Sequence, residues 1–183
     1  MSRLVILSGP SGVGKDTVLL RWIEVNPRVR KVVAYTSRAP RDGEVDGVDY
    51  HFVSRETFLV KAEEGDFLEW KEVHGNFYAT PMRDMEAMLA QGLFAILKID
   101  VKGALDVMDL RPEVASIFLL PPSWEELERR IRGRAQDSPE KIEERLRNAR
   151  EEIELSERYQ HRVVNDDLGR CVAELESILA TLE

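Results

Sequence analysis

The stretch LVILSGPSGVGKDT, residues 4–17, decides the fold of this 183-residue chain. It opens with four consecutive apolar residues and continues into a segment with three glycines and a lysine. The apolar residues that follow, Val18, Leu19, Trp22 and Ile23, have the spacing of one helix face. This order predicts a buried strand, a tight loop and a helix.

A glycine-rich loop between a strand and a helix is typical of phosphate binding. Glycines allow successive backbone N–H groups to converge on one anion, and the helix N-terminus adds partial positive charge. We expect the Lys15 ammonium to neutralise the β- and γ-phosphates of ATP. The predicted ATP-binding residues in this segment are Gly9, Pro10, Ser11, Gly12, Val13, Gly14, Lys15, Asp16 and Thr17.

Beyond the loop, further β-like apolar runs alternate with helical patterns. These runs occupy residues 29–35, 94–99, 116–120 and 162–164. Strands that alternate with helices form a mainly parallel sheet covered on both faces. We therefore predict an α/β fold of the P-loop NTPase type.

Two segments interrupt this alternation. Residues 36–80 contain short strand-like runs, at 50–53, 67–73 and 77–79, around glycine turns, and this pattern predicts a small β-rich lobe. Residues 133–139 separate a basic helix from a long charged helix, which is typical of a helical lid. The predicted single domain thus has three parts. They are a core of residues 1–32, 81–124 and 160–183, an acceptor-binding lobe of about 33–80, and a lid of about 125–159.

Composition excludes several classes of function. The single cysteine, Cys171, rules out an internal disulfide, and no apolar run approaches the roughly 20 residues of a membrane helix. The apolar run at the N-terminus is too short for a secretory signal, so we predict a cytoplasmic protein that does not bind a membrane. A net charge of −8 argues against nonspecific binding to nucleic acid. Basic residues nevertheless concentrate in residues 28–41 and 129–134, which suits a small anionic ligand.

The segment TSRAPRDGEVDGVDY, residues 36–50, places two guanidinium groups three residues apart and ends at a tyrosine. Forked donors of this kind suit the oxygens of a phosphate. Together with EW at 69–70, HGNFYATP at 74–81, IDVKGA at 99–104 and VVNDDL at 163–168, this segment resembles the guanylate kinases. The resemblance extends from Leu4 to Asp167, and the order and spacing of these motifs make it specific.

The resemblance implies a kinase that uses ATP and Mg²⁺ to phosphorylate GMP, and also dGMP. It implies that the acceptor phosphate is bound by Arg38, Arg41, Tyr50 and Tyr78, and the guanine by Glu69, Thr80 and Asp100. Arg134 and Arg145 are implied to act with Lys15 on the transferring phosphoryl group, and Asn165 to lie near the adenine. The chemistry of Glu69 supports guanine independently, because a carboxylate only accepts hydrogen bonds and guanine offers N1–H and its 2-amino group side by side.

Three positions depart from the family pattern. Asp16 replaces the Ser or Thr that normally follows the lysine and ligates magnesium, Ala34 replaces a serine that contacts guanine, and Lys98 replaces an acid two residues before Asp100. If positions 98 and 100 share a strand face, Lys98 points toward the loop that carries Asp16. We hypothesise that the metal-directing carboxylate has moved to Asp16, and that Lys98 pairs with Asp16 or with phosphate.

No general base is expected, because a phosphate monoester has a second pKa of about 6 and is mostly a nucleophilic dianion at neutral pH. Two alternatives remain open at this stage. Asp16 and Ala34 are compatible with a related kinase acting on a sugar phosphate such as ribose bisphosphate. A noncatalytic guanylate-kinase-like module that binds phosphopeptides would carry similar acceptor arginines. We expect small-molecule substrates, without nucleic acid or membrane partners, and a monomer or homodimer.

Overall fold

The computed structural model describes residues 3–73, 75–133 and 138–182. The strands are β1 Leu4–Ser8, β2 Val29–Lys31, β3 Tyr35–Thr36, β4 His51–Phe52, β5 Phe67–Val73, β6 Asn76–Pro81, β7 Phe94–Lys98, β8 Ala115–Leu120 and β9 His161–Val164. The α-helices are α1 Lys15–Val25, α2 Arg55–Glu63, α3 Met82–Ala90, α4 Val101–Leu110, α5 Trp124–Arg132, α6 Pro139–Glu154 and α7 Leu168–Ala180, and a 3₁₀ turn, Leu155–Arg158, follows α6.

Five parallel strands form the central sheet in the order β2-β7-β1-β8-β9. Its middle strand, β1, is buried along its whole length because helices cover both faces. Helices α1 and α7 pack on one face, and α3 and α4 pack on the other. The loop of residues 9–14 follows β1 at the carboxyl edge of this sheet, where α/β proteins bind ligands.

A second sheet, in the order β4-β3-β6-β5, lies within the segment predicted to be the acceptor-binding lobe. Pairs β3–β6 and β5–β6 are antiparallel, whereas β3–β4 is parallel. A separate small core of Phe58, Phe67, Phe77 and Ala79 joins this sheet to α2. The lobe can therefore be held in shape without burying its residues in the central core.

Helices α5 and α6 occupy the segment predicted to act as a lid, and the name lid is kept for it below. They bury Leu127, Ile131, Leu146 and Ala149 against each other. Ser123 and Ser138 cap the two helices by accepting hydrogen bonds from the N–H groups of Glu126 and Lys141. Helix α5 ends at Arg132 and α6 begins at Pro139, on either side of the predicted break, of which residues 134–137 lie outside the described residues.

The predicted fold class is confirmed, with three local corrections. The apolar run 29–35 is not one strand, because β2 ends at Lys31 and β3 belongs to the second sheet. Helix α2 inside the lobe was not predicted. Positions 98 and 100 do not share a strand, because β7 ends at Lys98 and Asp100 is the N-cap of α4. In the part of the chain that the structure describes, no helix is both long and apolar enough to cross a membrane.

Candidate functional site

The loop pocket, defined here as residues 9–17, is an open cavity of about 250 Å³ at the end of β1. Gly14 takes a left-handed conformation (φ 102°), and α1 begins at the next residue, so the helix N-terminus faces the cavity. The Lys15 ammonium donates to the carbonyl oxygens of Gly9 (2.5 Å) and Pro10 (3.0 Å). The Lys15 side chain therefore lies against the loop, next to the N–H groups that would bind an anion.

The loop glycines are required by close neighbours as well as by their backbone angles. A Cβ on Gly14 would lie 2.7 Å from Nδ2 of Asn165, and one on Gly9 would lie 2.6 Å from the carbonyl oxygen of Leu119. A Cβ on Gly12 would lie 3.2 Å from Cγ1 of Ile131 in α5. Strand β8, the lid and the segment after β9 therefore all contact the loop.

The lid reaches the loop through charged side chains. Arg145 of α6 donates to the Ser11 hydroxyl at 2.6 Å, and Arg130 of α5 donates to the Val13 carbonyl oxygen at 3.2 Å. Asn165 donates to the same carbonyl at 2.8 Å, which places it beside the loop. Arg134, the other predicted lid arginine, lies outside the described residues.

Burial changes the protonation of Lys15. Its removal from water lowers the pKa of Lys15 to about 8, although the nearby Glu152 carboxylate opposes this effect. Glu152 lies on α6, and burial raises its own pKa, while Lys15 and the Ser11 N–H favour its ionised form. The sequence analysis did not single out Glu152, because a glutamate in a helix rich in charge carries no distinguishing local signal.

Asp16 forms an ion pair with Lys98, which confirms the predicted contact between these two positions. The Asp16 side chain is 78% exposed, whereas that of Lys98 is only 15% exposed. Partial burial by itself would raise the pKa of Asp16, but Lys98, Lys31 and Lys15 more than offset it and hold the pKa below its usual value. A carboxylate is therefore present at the loop at neutral pH.

The name lobe pocket is used here for the predicted acceptor residues on the second sheet, on the segments that connect its strands and at the N-cap of α4, namely Arg38, Arg41, Tyr50, Glu69, Tyr78, Thr80 and Asp100. Within it, the Arg38 guanidinium donates two hydrogen bonds of 2.9 Å to the carboxylate of Glu44. The Arg41 backbone N–H donates to the same carboxylate at 2.7 Å, while the Arg41 side chain is exposed. Arg38 holds the pKa of Glu44 at about 2, so the pair stays charged.

Tyrosines surround the buried side of Arg38. Its guanidinium carbon lies 5.4 Å from the ring centre of Tyr50, and that ring meets the Tyr78 ring edge-on at 5.9 Å. The Tyr78 hydroxyl also hydrogen-bonds to Arg38. The Arg38 Nε–H is buried and has no hydrogen-bond partner among the described residues. The pocket thus combines a fixed guanidinium, an unused donor and two phenol groups, which is suitable chemistry for a phosphate.

Glu69, Thr80 and Asp100 converge at a second place in the lobe pocket. Thr80 donates to Glu69 at 2.7 Å across the β5–β6 pair. Carboxylate oxygens of Asp100 and Glu69 lie 3.1 and 3.6 Å from the position that a Cβ on Gly103 would take. Burial, with the nearby Asp100 charge, raises the pKa of Glu69 to about 7, although the Thr80 hydrogen bond opposes this effect. Two adjacent carboxylates favour a ligand with several N–H donors.

The two pockets share one edge of the central sheet. Lys98 pairs in register with Leu7 of β1, and Lys31 of β2 donates to the carbonyl oxygens of Val48 and Asp49 in the segment that leads to Tyr50. Burial raises the pKa of Tyr50. The charge of Lys98 opposes this effect, and the charge of Asp16 adds to it. An anion in the loop pocket and an anion in the lobe pocket would therefore lie on the same side of the molecule.

Glu44 was not assigned a role from the sequence, although it occupies the acceptor arginines in the structure. The signal was present in the acidic residue three positions after Arg41, but the pairing depends on the turn that brings Glu44 back to both arginines. Within the described residues, no three His, Cys, Asp or Glu side chains are grouped as a self-contained metal site. Asp16 alone offers a mostly exposed carboxylate at the loop.

Comparison with known proteins gives a consistent result over nearly the whole chain. A family model described as guanylate kinase matches residues 1–182. A protein named guanylate kinase from Synechococcus sp. (strain CC9311) is 45% identical over 176 residues, covering 96% of this chain and 93% of the relative. Another of that name, from Gloeobacter violaceus, is 47% identical over 179 residues, covering 98% and 87%.

Solved structures show the same similarity. The guanylate kinase from Anaplasma phagocytophilum superposes with a TM-score of 0.79 at 36% identity, covering 97% of this chain and 84% of the other. A shikimate kinase from Bacteroides thetaiotaomicron has a TM-score of 0.53 at 16% identity, covering 97% and 98% of the two chains. At that identity the second similarity concerns the fold alone.

Proposed function

The chain belongs to the guanylate kinase family of nucleoside monophosphate kinases, as the sequence predicted, and we propose that it transfers the terminal phosphoryl group of ATP to GMP and dGMP. In this proposal the loop pocket binds ATP and the lobe pocket binds the nucleoside monophosphate. The proposal includes a cytoplasmic role in purine nucleotide metabolism, as a monomer or homodimer, without nucleic acid or membrane partners.

The convergence of Glu69 and Asp100 beside Gly103 is the observation that carries the choice of guanine. Guanine presents N1–H and a 2-amino group, which match carboxylate acceptors, whereas adenine presents an acceptor at N1. Adenine would give the half-buried Glu69 carboxylate no donor at N1, and such mismatches reduce specificity constants by roughly 10⁴-fold. Thr80 would hold Glu69 in place through its hydroxyl.

Arg38 would bind the phosphate of GMP, with Arg41, Tyr50 and Tyr78 completing the site. The Glu44 carboxylate already fixes the Arg38 fork, and the buried Nε–H of Arg38 is left for the ligand. A guanidinium held in place loses less conformational entropy when it binds an anion. The bound phosphate is nucleophilic as the dianion, so this mechanism needs no general base.

Transfer would be catalysed by alignment and by neutralisation of charge. Lys15 and the loop N–H groups would hold the ATP phosphates, and Asn165 would lie near the adenine. Arg145 already contacts Ser11 of the loop, so closing the lid would place this arginine and Arg134 at the phosphoryl group. The lid would also exclude water, which otherwise competes with GMP for the phosphoryl group.

Magnesium fits the chemistry of the loop pocket. Proteins commonly hold Mg²⁺ through one or two carboxylates while nucleotide phosphates and water supply the other ligands. Asp16 would be the carboxylate, and Thr17 offers a hydroxyl one residue further along α1. When bound, the ion neutralises charge on the β- and γ-phosphates.

The three-part organisation is included in the proposal. We assign the core to residues 1–32, 81–124 and 160–183, the acceptor-binding lobe to about 33–80 and the lid to about 125–159. The second sheet and its own small core support the lobe, and the α5–α6 packing supports the lid. Closure of both parts over the sheet edge would bring the two pockets together.

A coupled assay that measures ADP release tests the proposal. GMP and dGMP are expected to be phosphorylated, whereas AMP and ribose 1,5-bisphosphate are expected to give little turnover. Turnover with the sugar phosphate but not with GMP would replace the proposal by a sugar-phosphate kinase. Binding of a phosphopeptide without turnover of any of these acceptors would identify a noncatalytic module.

A further inference from the structure

Lys98 lies between the two pockets, and the mechanism above gives it no part. It ends β7, where the backbone pairs in register with Leu7 of β1, two residues before the loop pocket begins. The Ser8 hydroxyl donates to the carbonyl oxygen of Ile99 at 3.0 Å, which fixes the end of β7 against the loop. The positively charged side chain of Lys98 is therefore held between the loop pocket and the lobe pocket.

The partners of the three neighbouring lysines differ in charge. Lys15 donates to the carbonyl oxygens of Gly9 and Pro10, and Lys31 donates to those of Val48 and Asp49. Lys98 instead pairs with the carboxylate of Asp16. An incoming phosphate would be repelled by Asp16 and attracted by Lys98, while a divalent cation would be attracted by Asp16 and repelled by Lys98.

Exposure makes this pair easy to separate. The Asp16 side chain is 78% exposed, and ion pairs that are open to water contribute little to stability. Lys98, in contrast, is held mostly out of water, and Tyr50 of the lobe pocket lies within reach of its charge. A phosphate is therefore a stronger competitor for Lys98 than water is, and Mg²⁺ prefers a carboxylate oxygen.

We propose that Asp16 and Lys98 form an exchange pair, in which Lys98 leaves Asp16 to bind a phosphate oxygen of the donor nucleotide and Asp16 passes to the magnesium ion that accompanies that nucleotide. This inference rests on the proposed function, because it takes the ligand of the loop pocket to be a magnesium nucleotide. It assigns Lys98 to nucleotide binding and makes the two residues opposing determinants of metal dependence.

The dissociation constant of ADP, measured by calorimetry with excess MgCl₂ and again with EDTA, tests the exchange. The informative quantity is the metal-free constant divided by the magnesium constant. In Asp16→Asn, Lys98 is released and a repelling charge is removed, so metal-free ADP should bind about tenfold more tightly and the ratio should fall. In Lys98→Met, metal-free ADP should bind about tenfold more weakly and the ratio should rise.

Lys61 and Asp66 provide a matched control pair. Their side chains meet at 3.0 Å on the lobe, and they are 30% and 46% exposed. Lys61→Met and Asp66→Asn should leave the ratio at its wild-type value. If the Asp16–Lys98 pair only braced the loop, its variants would weaken ADP binding equally with and without metal, and the unchanged ratio would overturn the proposal.

A second set of variants keeps the test valid if either neutral variant is unstable. Asp16→Ser and Lys98→Asp should each impair magnesium-dependent turnover, and the double variant, which returns a carboxylate to the site on β7, should recover part of the loss. Strictly additive losses would contradict the exchange. If the wild-type protein phosphorylates GMP but none of these substitutions changes the ratio of the two ADP dissociation constants, the proposed function stands and only this inference is overturned. Wild-type protein that binds ADP but fails to phosphorylate GMP overturns the proposed acceptor alone, and wild-type protein that binds no ADP with or without metal overturns both.

Discussion

The loop pocket and the lobe pocket are both suited to phosphate, but they are built from different groups. The loop pocket uses backbone N–H groups at a helix N-terminus, and its lysine lies on neutral carbonyl oxygens. The lobe pocket uses side chains, and its arginine is already paired with a carboxylate. Anion binding in the loop pocket should therefore depend on the backbone conformation, and anion binding in the lobe pocket should depend on the side chains.

This difference explains how one enzyme can bind phosphates without regard to the base in one pocket and select a particular base in the other. Backbone groups contact phosphates without reading the base, so the loop pocket suits the common phosphate donor. Specificity for the acceptor requires polar side chains that match one base, and in the proposed function Glu69 and Asp100, which lie beside Gly103, would supply them. Substitutions in the two pockets should consequently affect different kinetic constants.

Glu69→Gln should produce the largest effect, and it tests the chemical character of the lobe pocket. The amide places an N–H₂ group toward a base that also offers donors, so the preference for GMP over AMP should fall about 10³-fold. The ratio of kcat/KM for GMP to kcat/KM for AMP, each measured separately in the coupled assay, gives this preference. The KM for ATP should change little, because the loop pocket is untouched.

Glu72→Gln, on the same strand and 51% exposed at its side chain, is the control and should keep the preference. The melting temperature separates specificity from folding. Ionised Glu69 is disfavoured by burial, with a pKa raised to about 7, so the folded protein at pH 8 is penalised by that charge. Glu69→Gln should therefore melt at or above the wild-type temperature, and a large decrease would contradict the specificity interpretation.

Gly14→Ala tests the dependence of the loop pocket on backbone shape. Its Cβ would lie 2.7 Å from the Asn165 amide at a strained backbone φ of 102°, so the loop or the Asn165 side chain must move, and kcat/KM for ATP should fall about 10²-fold or more. Gly65→Ala is the control, because Gly65 has a similar positive φ of 77° but no atom within 4 Å of the added Cβ. Both variants should lose stability, and an equal loss of activity in both would rule out the role of the close contact.

The pH dependence of binding should have opposite signs in the two pockets. The pKa of Lys15 is lowered to about 8, so the cation is lost, and ADP affinity falls, as the pH rises above 8. The pKa of Glu69 is raised to about 7, so the accepting carboxylate is lost, and guanine affinity falls, as the pH decreases below 7. Each affinity should change up to about tenfold per pH unit.

Calorimetry with guanosine from pH 6 to 8 and with ADP from pH 7.5 to 9.5 measures the two effects. These ranges avoid the ionisation of the guanine N1–H in alkaline solution and the titration of the ADP phosphate near pH 6, and guanosine avoids the titration of the GMP phosphate. Glu69→Gln should remove the low-pH effect on guanosine while leaving the high-pH effect on ADP. A guanosine affinity that stayed constant between pH 8 and pH 6, or an ADP affinity that stayed constant between pH 7.5 and pH 9.5, would contradict the assigned titrations.

The same contrast explains what could be predicted from sequence. The loop pocket lies within one short stretch that runs from the end of β1 into α1, so its residues and their local structure could be predicted from consecutive positions in the sequence. The partners of Arg38 and Lys15 are not, because Glu44 returns through a turn and Glu152 arrives from α6. The contact of Lys98 with Asp16 was predictable because β1 and β7 place both near one sheet edge, although the assumed strand at 98–100 was wrong.

The fold was predicted where burial is continuous and missed where the chain changes surroundings. Strand β1 is buried throughout and reads as an apolar run. The run at 29–35 also reads as one strand, yet the chain leaves the central sheet after Lys31 and joins the second sheet at Tyr35. Helix α2 buries only Phe58 fully, so it lacks the apolar periodicity that marks a helix.

Gly103→Ala should have the smallest effect and sharpens the comparison within the lobe pocket. The added Cβ would lie 3.1 Å from Asp100, which must shift slightly, and 3.6 Å from Glu69, which is ordinary van der Waals contact. Because alanine is favoured over glycine in a helix by about 1 kcal/mol, the variant should be as stable as the wild type or more stable. The KM for GMP should nevertheless rise about threefold, since small displacements weaken an aligned site.

Gly169→Ala makes the same change in the first turn of α7, where its Cβ would lie 3.3 Å from the capping Asp167. It should gain similar stability without altering the KM for GMP, because Asp167 belongs to neither pocket. Steady-state kinetics and thermal melting of the two variants therefore separate an effect on the guanine site from an effect on a helix cap. Equal KM values for both variants would place the convergence of Glu69 and Asp100 outside the determinants of GMP binding.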